Sequence, residues 1–483
     1  MRRPISLVTA GVVSFGVGLS ALAVLQHRAF WTGRFDVGNL TQALWSTAHG
    51  DFLSVTGLTG RQISRLGAHF DPIVAAFAPL WWLWPDPSLL LVVQAAAVAT
   101  GAVPVHLLGR RHLESDWAAA GFALAYLLHP ATQWLVLDDF HPVALATPLL
   151  LWAFWFLDSE RLVAFAVTAG AACLTKEQIG LVVAAMGIWY AVRPGGRRAG
   201  IAIALAGTVV SLVAVSVVVP HFAPGGGSPF AGRYESVGGS PGGMAETAVT
   251  DPGAILDAAT DGRDLAYLGD LLLPLLGLPL LAPLALLTAV PELALNLLSE
   301  TRTQTSIHFH YTAGAIPGLM VAAILGAARL RRRFGWARRP EGRAVVVSTL
   351  VAGILLGPLP VWSHVPFGSD LAAREHVVGR HAGVAERALR LIPADAAVSA
   401  TNTLGAHVSE RRRIFSFPVL GDAEWVAVDR TRPSHRDRAV APEAFATALA
   451  RLEASGRFKP VFDEDGILVL RLRAGSSAAG DTP

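Results

Sequence analysis

Five short groups of charged, imidazole or phenol side chains stand at the edges of long apolar runs in this 483-residue sequence. An ionised side chain is costly at such a place, so each group is a candidate for function. The groups are Asp36; His69 and Asp71; Asp138, Asp139 and His141; Lys176 and Glu177; and Arg302, His308, His310 and Tyr311. Carboxylates, imidazoles and cations gathered at one membrane boundary suit a reaction on an anionic, lipid-anchored substrate.

The residue types suggest how the roles divide. A carboxylate activates a hydroxyl group by accepting its proton, and Asp36 and Asp139 are the candidates for this catalytic role. Carboxylates also bind divalent cations, for which Asp36 and Asp71 are the candidates, although the chemistry does not require a metal. Cations and hydrogen-bond donors bind phosphate. The candidates for substrate binding are His69, His141, Lys176, Glu177, Arg302, His308, His310 and Tyr311.

Each group also has a purely structural interpretation. Asp36 suits the cap of a surface helix that begins at the next residue. Lys176 and Glu177 suit an inert ion pair with each other, and the motif DDFHP suits a polar turn before a helix that starts at proline. His308 and His310 alternate as in an extended segment, which puts both on one side, and interfacial residues do the same.

The composition excludes a soluble protein. Hydrophobic residues make up 53% of the chain and charged residues 16%, and the apolar blocks are separated by charged turns, as in proteins that cross a membrane repeatedly. Of the 39 basic residues all are arginine except Lys176 and Lys459. The single cysteine, Cys173, excludes an intrachain disulfide and a thiolate metal cluster. The net charge of +3 comes largely from arginine turns, so we expect no nucleic-acid partner.

The apolar blocks predict a multi-pass α-helical membrane domain over residues 1–363, with about 11 to 13 crossing helices. The blocks are 5–25, 71–84, 88–109, 117–133, 143–157, 162–175, 179–192, 199–220, 266–298, 312–328 and 344–362. Four prolines interrupt the block 266–298, which therefore predicts two short helices that form a hairpin. The first block resembles a secretory signal, but we interpret it as a membrane span.

Arginine counts give the orientation. Five short segments with 36 residues contain 15 arginines, whereas the opposing loops contain 7 arginines in 111 residues. Arginine-rich loops stay in the cytoplasm, so we expect a protein of the plasma membrane with a cytoplasmic N-terminus. The outer loops are then 26–69, 134–142, 221–265 and 299–311, and all five groups emerge on the outer face. Within them, residues 224–243 are too rich in glycine and proline to predict a packed element, and they are either a connector or a lid.

Residues 364–475 have the composition of a soluble domain, which the orientation places outside the cell membrane. Helices are predicted at 381–391 and 442–455, strands at 396–400, 413–417 and 424–429, and a hairpin at 459–472 that turns at the motif DEDG. Alternating strands and helices predict a small α/β domain. The tail, residues 476–483, is predicted to be disordered.

Several motifs in combination resemble a known family. They are FDVGNLTQALWSTAHG, HFDPIVAAFAPLWWLWPDPSLLLVVQA, DDFHP, KEQIG and HFHYTAGAIPGLMVAA. Together they resemble the bacterial membrane family called domain of unknown function 2079 (DUF2079), over roughly residues 20–430. That family in turn resembles the integral-membrane glycosyltransferases of the GT-C class, which have an essential acidic residue in the first outer loop.

The resemblance implies that the protein moves a sugar from a polyprenyl-phosphate donor to an acceptor in the cell envelope, outside the cytoplasm. Asp36 matches the acidic residue of the first loop. Lys176 resembles the lysine that aminoarabinose and mannosyl transferases place between two short helices. The chain departs from those enzymes in having Glu177 after the lysine and in lacking a paired Asp-Glu in the first loop. The implied partners are the lipid-linked sugar, the acceptor and the bilayer; no cofactor is certain, and a divalent metal is compatible with the carboxylates.

Two other functions compete with glycosyl transfer. A transporter or lipid flippase also carries charge within the membrane, but it predicts charges spread through the membrane depth and an internal repeat, neither of which the sequence has. A non-catalytic envelope scaffold would bind a partner through the C-terminal domain, and it predicts that the five groups do not converge.

Reporter fusions test the orientation. A reporter fused after Trp362 should be active only outside the cytoplasm, and one fused at Arg338 only inside, because arginine-rich loops are retained in the cytoplasm. The readout is the activity of a paired periplasmic and cytoplasmic reporter at each site. The opposite pattern would remove the argument for a shared outer site.

Overall fold

The computed structural model describes residues 2–226, 230–334, 341–434, 437 and 442–476. Most of these residues are helical, and a small sheet lies near the C-terminus. The chain forms two compact units, which are described separately. The first comprises Met1–Ser20, Gly67–Asp71 and Val93–Arg374, and the second comprises Ala21–Leu66, Pro72–Val92 and Glu375–Pro483. Residue 338 and the tail from 477 lie outside the described residues, so the expectations about them are not tested here.

The helices are mostly short. The α-helices are Arg2–Arg28, Asn39–Ala48, Ala78–Trp81, Ser88–Thr100, Ala102–Leu113, Asp116–Leu128, Pro130–Leu137, Ala146–Asp158, Leu162–Cys173, Ile179–Ala191, Arg197–Val213, Val219–Phe222, Pro241–Thr250, Pro252–Ala258, Gly262–Leu272, Pro283–Leu286, Val290–Leu297, Ala315–Phe334, Glu341–Leu356, Arg380–Leu389, Asn402–Ala406 and Pro442–Ala454. The 3-10 helices are Arg65–Gly67, Pro72–Phe77, Pro142–Leu145, Ala231–Val237, Leu273–Leu275, Leu278–Leu281, His310–Thr312 and Pro360–His364; the π-helices are Arg34–Gly38 and Ala214–Val218.

Among the described residues, three helices are long and apolar enough to cross a membrane. They are Arg3–Arg28, Ser88–Leu113 and Arg197–Phe222. A pair of helices, Asp116–Leu128 and Pro130–Leu137, makes a fourth if it is one span; the two are bent by 44° at His129. The bend follows from Pro130, because proline holds the preceding residue in an extended conformation. The expected total of about 11 to 13 crossing helices stays a prediction.

Prolines divide the block 266–298 into short helical pieces. Each piece from Leu273 onward has a proline in its first turn, where the missing backbone N–H leaves no hydrogen bond unmade. Several other apolar helices have only 10 to 17 residues, among them Leu162–Cys173 and Ile179–Ala191.

Glycines let two of these helices approach closely. A Cβ atom on Gly207 of Arg197–Val213 would lie 2.4 Å from the carbonyl oxygen of Gly180 on Ile179–Ala191, and one on Gly180 would lie 2.4 Å from the carbonyl of Gly207. Small residues are the usual means by which helices pack tightly within a membrane. The close packing has a further effect, because the Ser211 hydroxyl, one turn beyond Gly207, donates to the backbone carbonyl of Glu177 at 2.7 Å.

The sheet of the second unit has five strands in the order β4-β3-β5-β7-β6. The strands are β3 Val398–Ala400, β4 Ile414–Ser416, β5 Trp425–Asp429, β6 Phe458–Glu464 and β7 Ile467–Leu472; a separate pair joins β1 Ser54–Thr56 to β2 Gln62–Ser64. Strand β3 is parallel to β4 and β5, whereas β7 is antiparallel to β5 and β6. The hairpin turns at Asp465 and Gly466, both with positive φ, as the motif DEDG predicts.

Side chains alternate between the two faces of this sheet. Ala427 and Val469 pack with helix Arg380–Leu389 on one face. Val426 and Leu470 pack with helix Pro442–Ala454 on the other face. The period of two in a strand thus places helices on both faces, and the predicted small α/β domain is confirmed. The exact boundaries of the domains stay predictions.

Enlarging Gly207 tests the close packing of the two helices. Gly207→Leu should lower the melting temperature of the detergent-purified protein, because overpacking a close contact costs about 1–3 kcal/mol. Gly170→Leu is the matched control: Gly170 lies exposed on an apolar helix, and a Cβ atom there meets nothing within 4 Å. Equal melting temperatures for the two variants would contradict the tight packing.

Candidate functional site

The DDFHP motif forms a sharp turn after helix Pro130–Leu137, in the first unit. Asp139 has a φ of 53°, and His141 lies at the N-cap of the following 3-10 helix. The buried side chain of Gln94 fixes this turn. Its amide nitrogen donates to the carbonyl oxygens of Asp139 at 2.6 Å and of Val136 at 3.1 Å, and its oxygen accepts the His141 N–H at 2.9 Å. A single buried amide therefore holds the backbone that presents this group.

The motif HFHY meets DDFHP directly. The backbone N–H of His310 donates to the Asp138 Oδ2 atom at 2.8 Å, and the His310 Nδ1 atom lies 3.0 Å from the same oxygen. The rings of His141 and His310 stack with centroids 3.5 Å apart, and the His141 Nδ1 atom lies 3.9 Å from Asp138 Oδ2. We predicted Asp139 as the catalytic carboxylate of this turn, which stays a prediction. Asp138 was in the candidate group without a role of its own, and the geometry places it against His310.

The two histidines of HFHY contact two residues that are four positions apart, one on helix Pro130–Leu137 and one just after it. His308 contacts Trp134, with ring centroids 4.8 Å apart, while His310 contacts Asp138. Two residues in an extended segment span about 6.6 Å, and four residues in a helix span about 6 Å. The spacing of His308 and His310 therefore suits contacts to Trp134 and Asp138; that both histidines lie on one side stays a prediction.

Lys176 and Glu177 lie in the short turn between helices Leu162–Cys173 and Ile179–Ala191. The Glu177 carboxylate accepts from His69 Nδ1 at 2.9 Å and from the Phe70 N–H at 3.0 Å. Burial raises the pKa of Glu177, but the charge and hydrogen bond of His69 and the charge of Lys176 outweigh it, and the pKa falls to about 2. In the described part of the chain Lys176 forms no ion pair with Glu177, so the inert pair is not observed.

Lys176 faces an aromatic ring that a second cation also approaches. Its Nζ atom lies 5.3 Å from the centroid of the Tyr311 ring. The Arg233 guanidinium lies 6.0 Å from the same centroid and 4.4 Å from that of Phe230, which in turn stacks on His69. Two cations on one aromatic platform form a place where an anion can bind.

Arg302 does not take part in this arrangement. It is exposed, and its guanidinium has no hydrogen bond or ion pair within the described ranges. Its role stays a prediction. Sequence reasoning missed Arg233 because it lies in the segment 224–243, where we expected no packed element. That expectation was wrong for the described residues, because a 3-10 helix covers Ala231–Val237 and the Ser240 hydroxyl caps the next helix by accepting the Gly243 N–H at 3.0 Å.

Two further polar side chains complete the surroundings of Tyr311. Asn296 donates to the Tyr311 carbonyl at 2.8 Å and to the Tyr267 hydroxyl at 2.9 Å, which holds the backbone of Tyr311. Glu292, buried one turn earlier, accepts from Gln178 at 3.4 Å. Neither was chosen from the sequence, although a glutamate after a proline within an apolar block was a usable signal.

Asp36 belongs to the second unit. It is half-buried in the π-helix Arg34–Gly38, and the residues at the N-caps of this helix and the next are Gly33 and Gly38. The interpretation of Asp36 as a side-chain N-cap is therefore not supported. Burial lowers the pKa of Arg34 to about 10. The Arg34 guanidinium donates to the Ser416 hydroxyl at 2.6 Å and to the Thr56 carbonyl at 2.9 Å, which ties this segment to the sheet.

The first unit thus brings together four of the five groups. Burial is the main cause that holds the pKa of His310 well below its usual range, and the charges of Lys176 and Arg233 act in the same direction. Asp71 is buried two residues after His69 and directly before the 3-10 helix Pro72–Phe77. Among the described residues, Asp138, His141 and His310 form a group whose ligand atoms suit a metal ion, and the metal-binding roles of Asp36 and Asp71 stay predictions.

Two crystal structures of ArnT from Cupriavidus metallidurans share this fold. The structure bound to undecaprenyl phosphate aligns with a TM-score of 0.55 and 15% sequence identity, over 98% of each chain. The apo structure aligns with a TM-score of 0.55 and 16% identity, over 98% of this chain and 99% of the other. No functionally curated protein matches the sequence. The family model described as "Predicted membrane protein (DUF2079)" matches residues 26–469, most of the chain, and the protein therefore belongs to the DUF2079 family of membrane proteins.

Proposed function

We propose that this membrane protein is a glycosyltransferase that moves a sugar from a polyprenyl-phosphate donor to an acceptor outside the cytoplasm. ArnT, with which it shares its fold, is a glycosyltransferase of the GT-C class, and one of its structures contains undecaprenyl phosphate. At 15% identity the fold alone is common to the two proteins. The donor, the acceptor and the roles of the residues named below are therefore proposed.

The observation that supports it is the pair of cations at Tyr311. Lys176 and Arg233 approach the same ring from segments about 60 residues apart, 5.3 and 6.0 Å from its centroid. Glu177 does not neutralise Lys176 directly, because its carboxylate is bonded to His69. The two cations are therefore available to an anionic ligand. A phosphate of a lipid-linked donor has the charge and the hydrogen-bond acceptors that such a place selects.

The chemistry assigns a role to each group. In the reaction that the resemblance implies, the acceptor hydroxyl attacks the anomeric carbon, its proton passes to a carboxylate, the role predicted for Asp36, and the bond from that carbon to the phosphate oxygen breaks with its electron pair on the phosphate. Lys176 and Arg233 stabilise the departing phosphate, since positive charge that is already in place lowers the energy of the transition state. His308 is a candidate hydrogen-bond donor, His310 stays a candidate for substrate binding, and Arg302 is a further candidate at the surface. The lipid phosphate is then released.

Replacing Asp36 tests the role of the base. Asp36→Asn preserves size and hydrogen bonding but removes the charge, so the rate of transfer should fall by about 10² or more while the donor still binds. The assay uses membranes with labelled polyprenyl-phosphate sugar and envelope acceptors. Asp51→Asn is the matched control, because Asp51 is an exposed acid of the same loop. Equal labelling by the parent and Asp36→Asn would show that this carboxylate is not catalytic.

Replacing Lys176 tests donor binding. Lys176→Ala should weaken donor binding about 10- to 100-fold as well as the rate, because charge-assisted hydrogen bonds contribute roughly 1.5–3 kcal/mol. Arg233→Ala should act in the same direction. Lys459→Ala is the control, since Lys459 is the other lysine of the chain and lies exposed on β6. Binding is measured with the purified protein and labelled donor. Unchanged affinity in Lys176→Ala and Arg233→Ala would contradict the phosphate site, and uptake or flipping without any sugar-modified product would indicate a transporter.

A further inference from the structure

We propose that Asp138, His141 and His310 form a binding site for one divalent transition-metal ion such as Zn²⁺. Each residue offers one ligand atom, and the three atoms lie within 4.8 Å of one another. The proposal does not rest on glycosyl transfer, because an ion can bind there whatever the protein's substrate is.

The distances are close to those of a metal site. Three ligands about 2.0–2.2 Å from a tetrahedral ion lie about 3.3–3.5 Å from one another. The Asp138 Oδ2 atom is 3.0 Å from His310 Nδ1 and 3.9 Å from His141 Nδ1. The second distance is too long for a hydrogen bond but needs to shorten by only about half an ångström for both atoms to bind one ion. The remaining pair of ligand atoms, within 4.8 Å, must also approach, and the stacked rings of His141 and His310 must rotate apart so that both nitrogens face the ion.

The residue types select the kind of ion. Imidazole nitrogen suits Zn²⁺, Ni²⁺, Cu²⁺ and Fe²⁺, whereas Mg²⁺ and Ca²⁺ prefer oxygen ligands. Two imidazoles and one carboxylate also leave one tetrahedral position open for water or an oxygen of a ligand, as in catalytic zinc sites. An ion at this place adds positive charge to a surface that already attracts anions.

The surrounding structure holds the ligands in place before any ion binds. Gln94 fixes the turn that presents Asp138 and His141 through bonds to the Asp139 carbonyl and the His141 N–H. The backbone N–H of His310 donates to the Asp138 carboxylate, which orients it. Partners that orient the ligands in this way usually accompany metal sites. To bind the ion, the His310 imidazole must present Nδ1 without its proton, which leaves the proton on Nε2.

The test uses the full chain without an affinity tag, purified in detergent and depleted of metal with a chelator. Addition of Co²⁺ should produce visible absorption that saturates at about one ion per chain, and Zn²⁺ but not Mg²⁺ should displace it. Asp138→Asn and His310→Ala should each weaken binding by more than the ~10–100-fold that loss of an outer-shell partner causes. His308→Ala is the matched control, because His308 lies two residues away and contacts Trp134 instead.

The outcomes separate the alternatives. Absence of saturable Co²⁺ binding by the parent, or equal binding by the parent, Asp138→Asn and His310→Ala, would overturn the proposal; the contacts would then be hydrogen bonds that join two loops. If either variant fails to fold by size-exclusion chromatography, His141→Gln replaces it, since this change keeps both bonds from His310 to Asp138. Metal binding is measured without donor or acceptor, so its failure is distinct from failure of the proposed transfer reaction.

Discussion

The cost of placing charged groups among apolar helices governs the arrangement of the first unit. A buried carboxylate there is stabilised by a partner in the protein, because an apolar environment penalises an unpaired charge. Glu177 meets this requirement with His69 and the Phe70 N–H, and Asp138 meets it with His310. These bonds join segments more than 100 residues apart in sequence. The hydrogen bonds that stabilise the buried carboxylates therefore also bring the residues of the candidate site together.

The turn that carries Lys176 and Glu177 lies between two short helices. Helices Leu162–Cys173 and Ile179–Ala191 have 12 and 13 residues, fewer than the roughly 20 that cross a bilayer. The turn between them contacts His69 through Glu177 and the Tyr311 ring through Lys176. The glycine contact between Ile179–Ala191 and Arg197–Val213 keeps the Ser211 hydroxyl against the Glu177 carbonyl. Backbone packing and the direction of the Lys176 and Glu177 side chains are thus parts of one arrangement.

The sequence was most informative where a pattern is local. Alternation and turn residues predicted the strands and helices of the C-terminal domain to within a few residues, and the cost of buried charge identified Lys176, His310 and the DDFHP turn. The partners were harder to predict, because they come from distant segments. Arg233 stands in a glycine-rich stretch without periodicity, and Glu292 stands in a block that prolines interrupt. Two adjacent aspartates in the sequence reveal neither the pairing of Asp138 with His310 nor the left-handed backbone of Asp139.

The contacts of the buried Arg34 guanidinium constrain the order in which parts of this protein can fold during synthesis. It is bonded to Ser416 and to the carbonyl of Ile414, both on β4, and it has left water to reach them. A ribosome reaches residue 416 long after residue 34 has emerged, so the segment around Asp36 waits for nearly 400 residues before its supports exist. A nascent chain that stalls before β4 consequently lacks a formed first loop, and the loop that carries the proposed base is completed only when the sheet is.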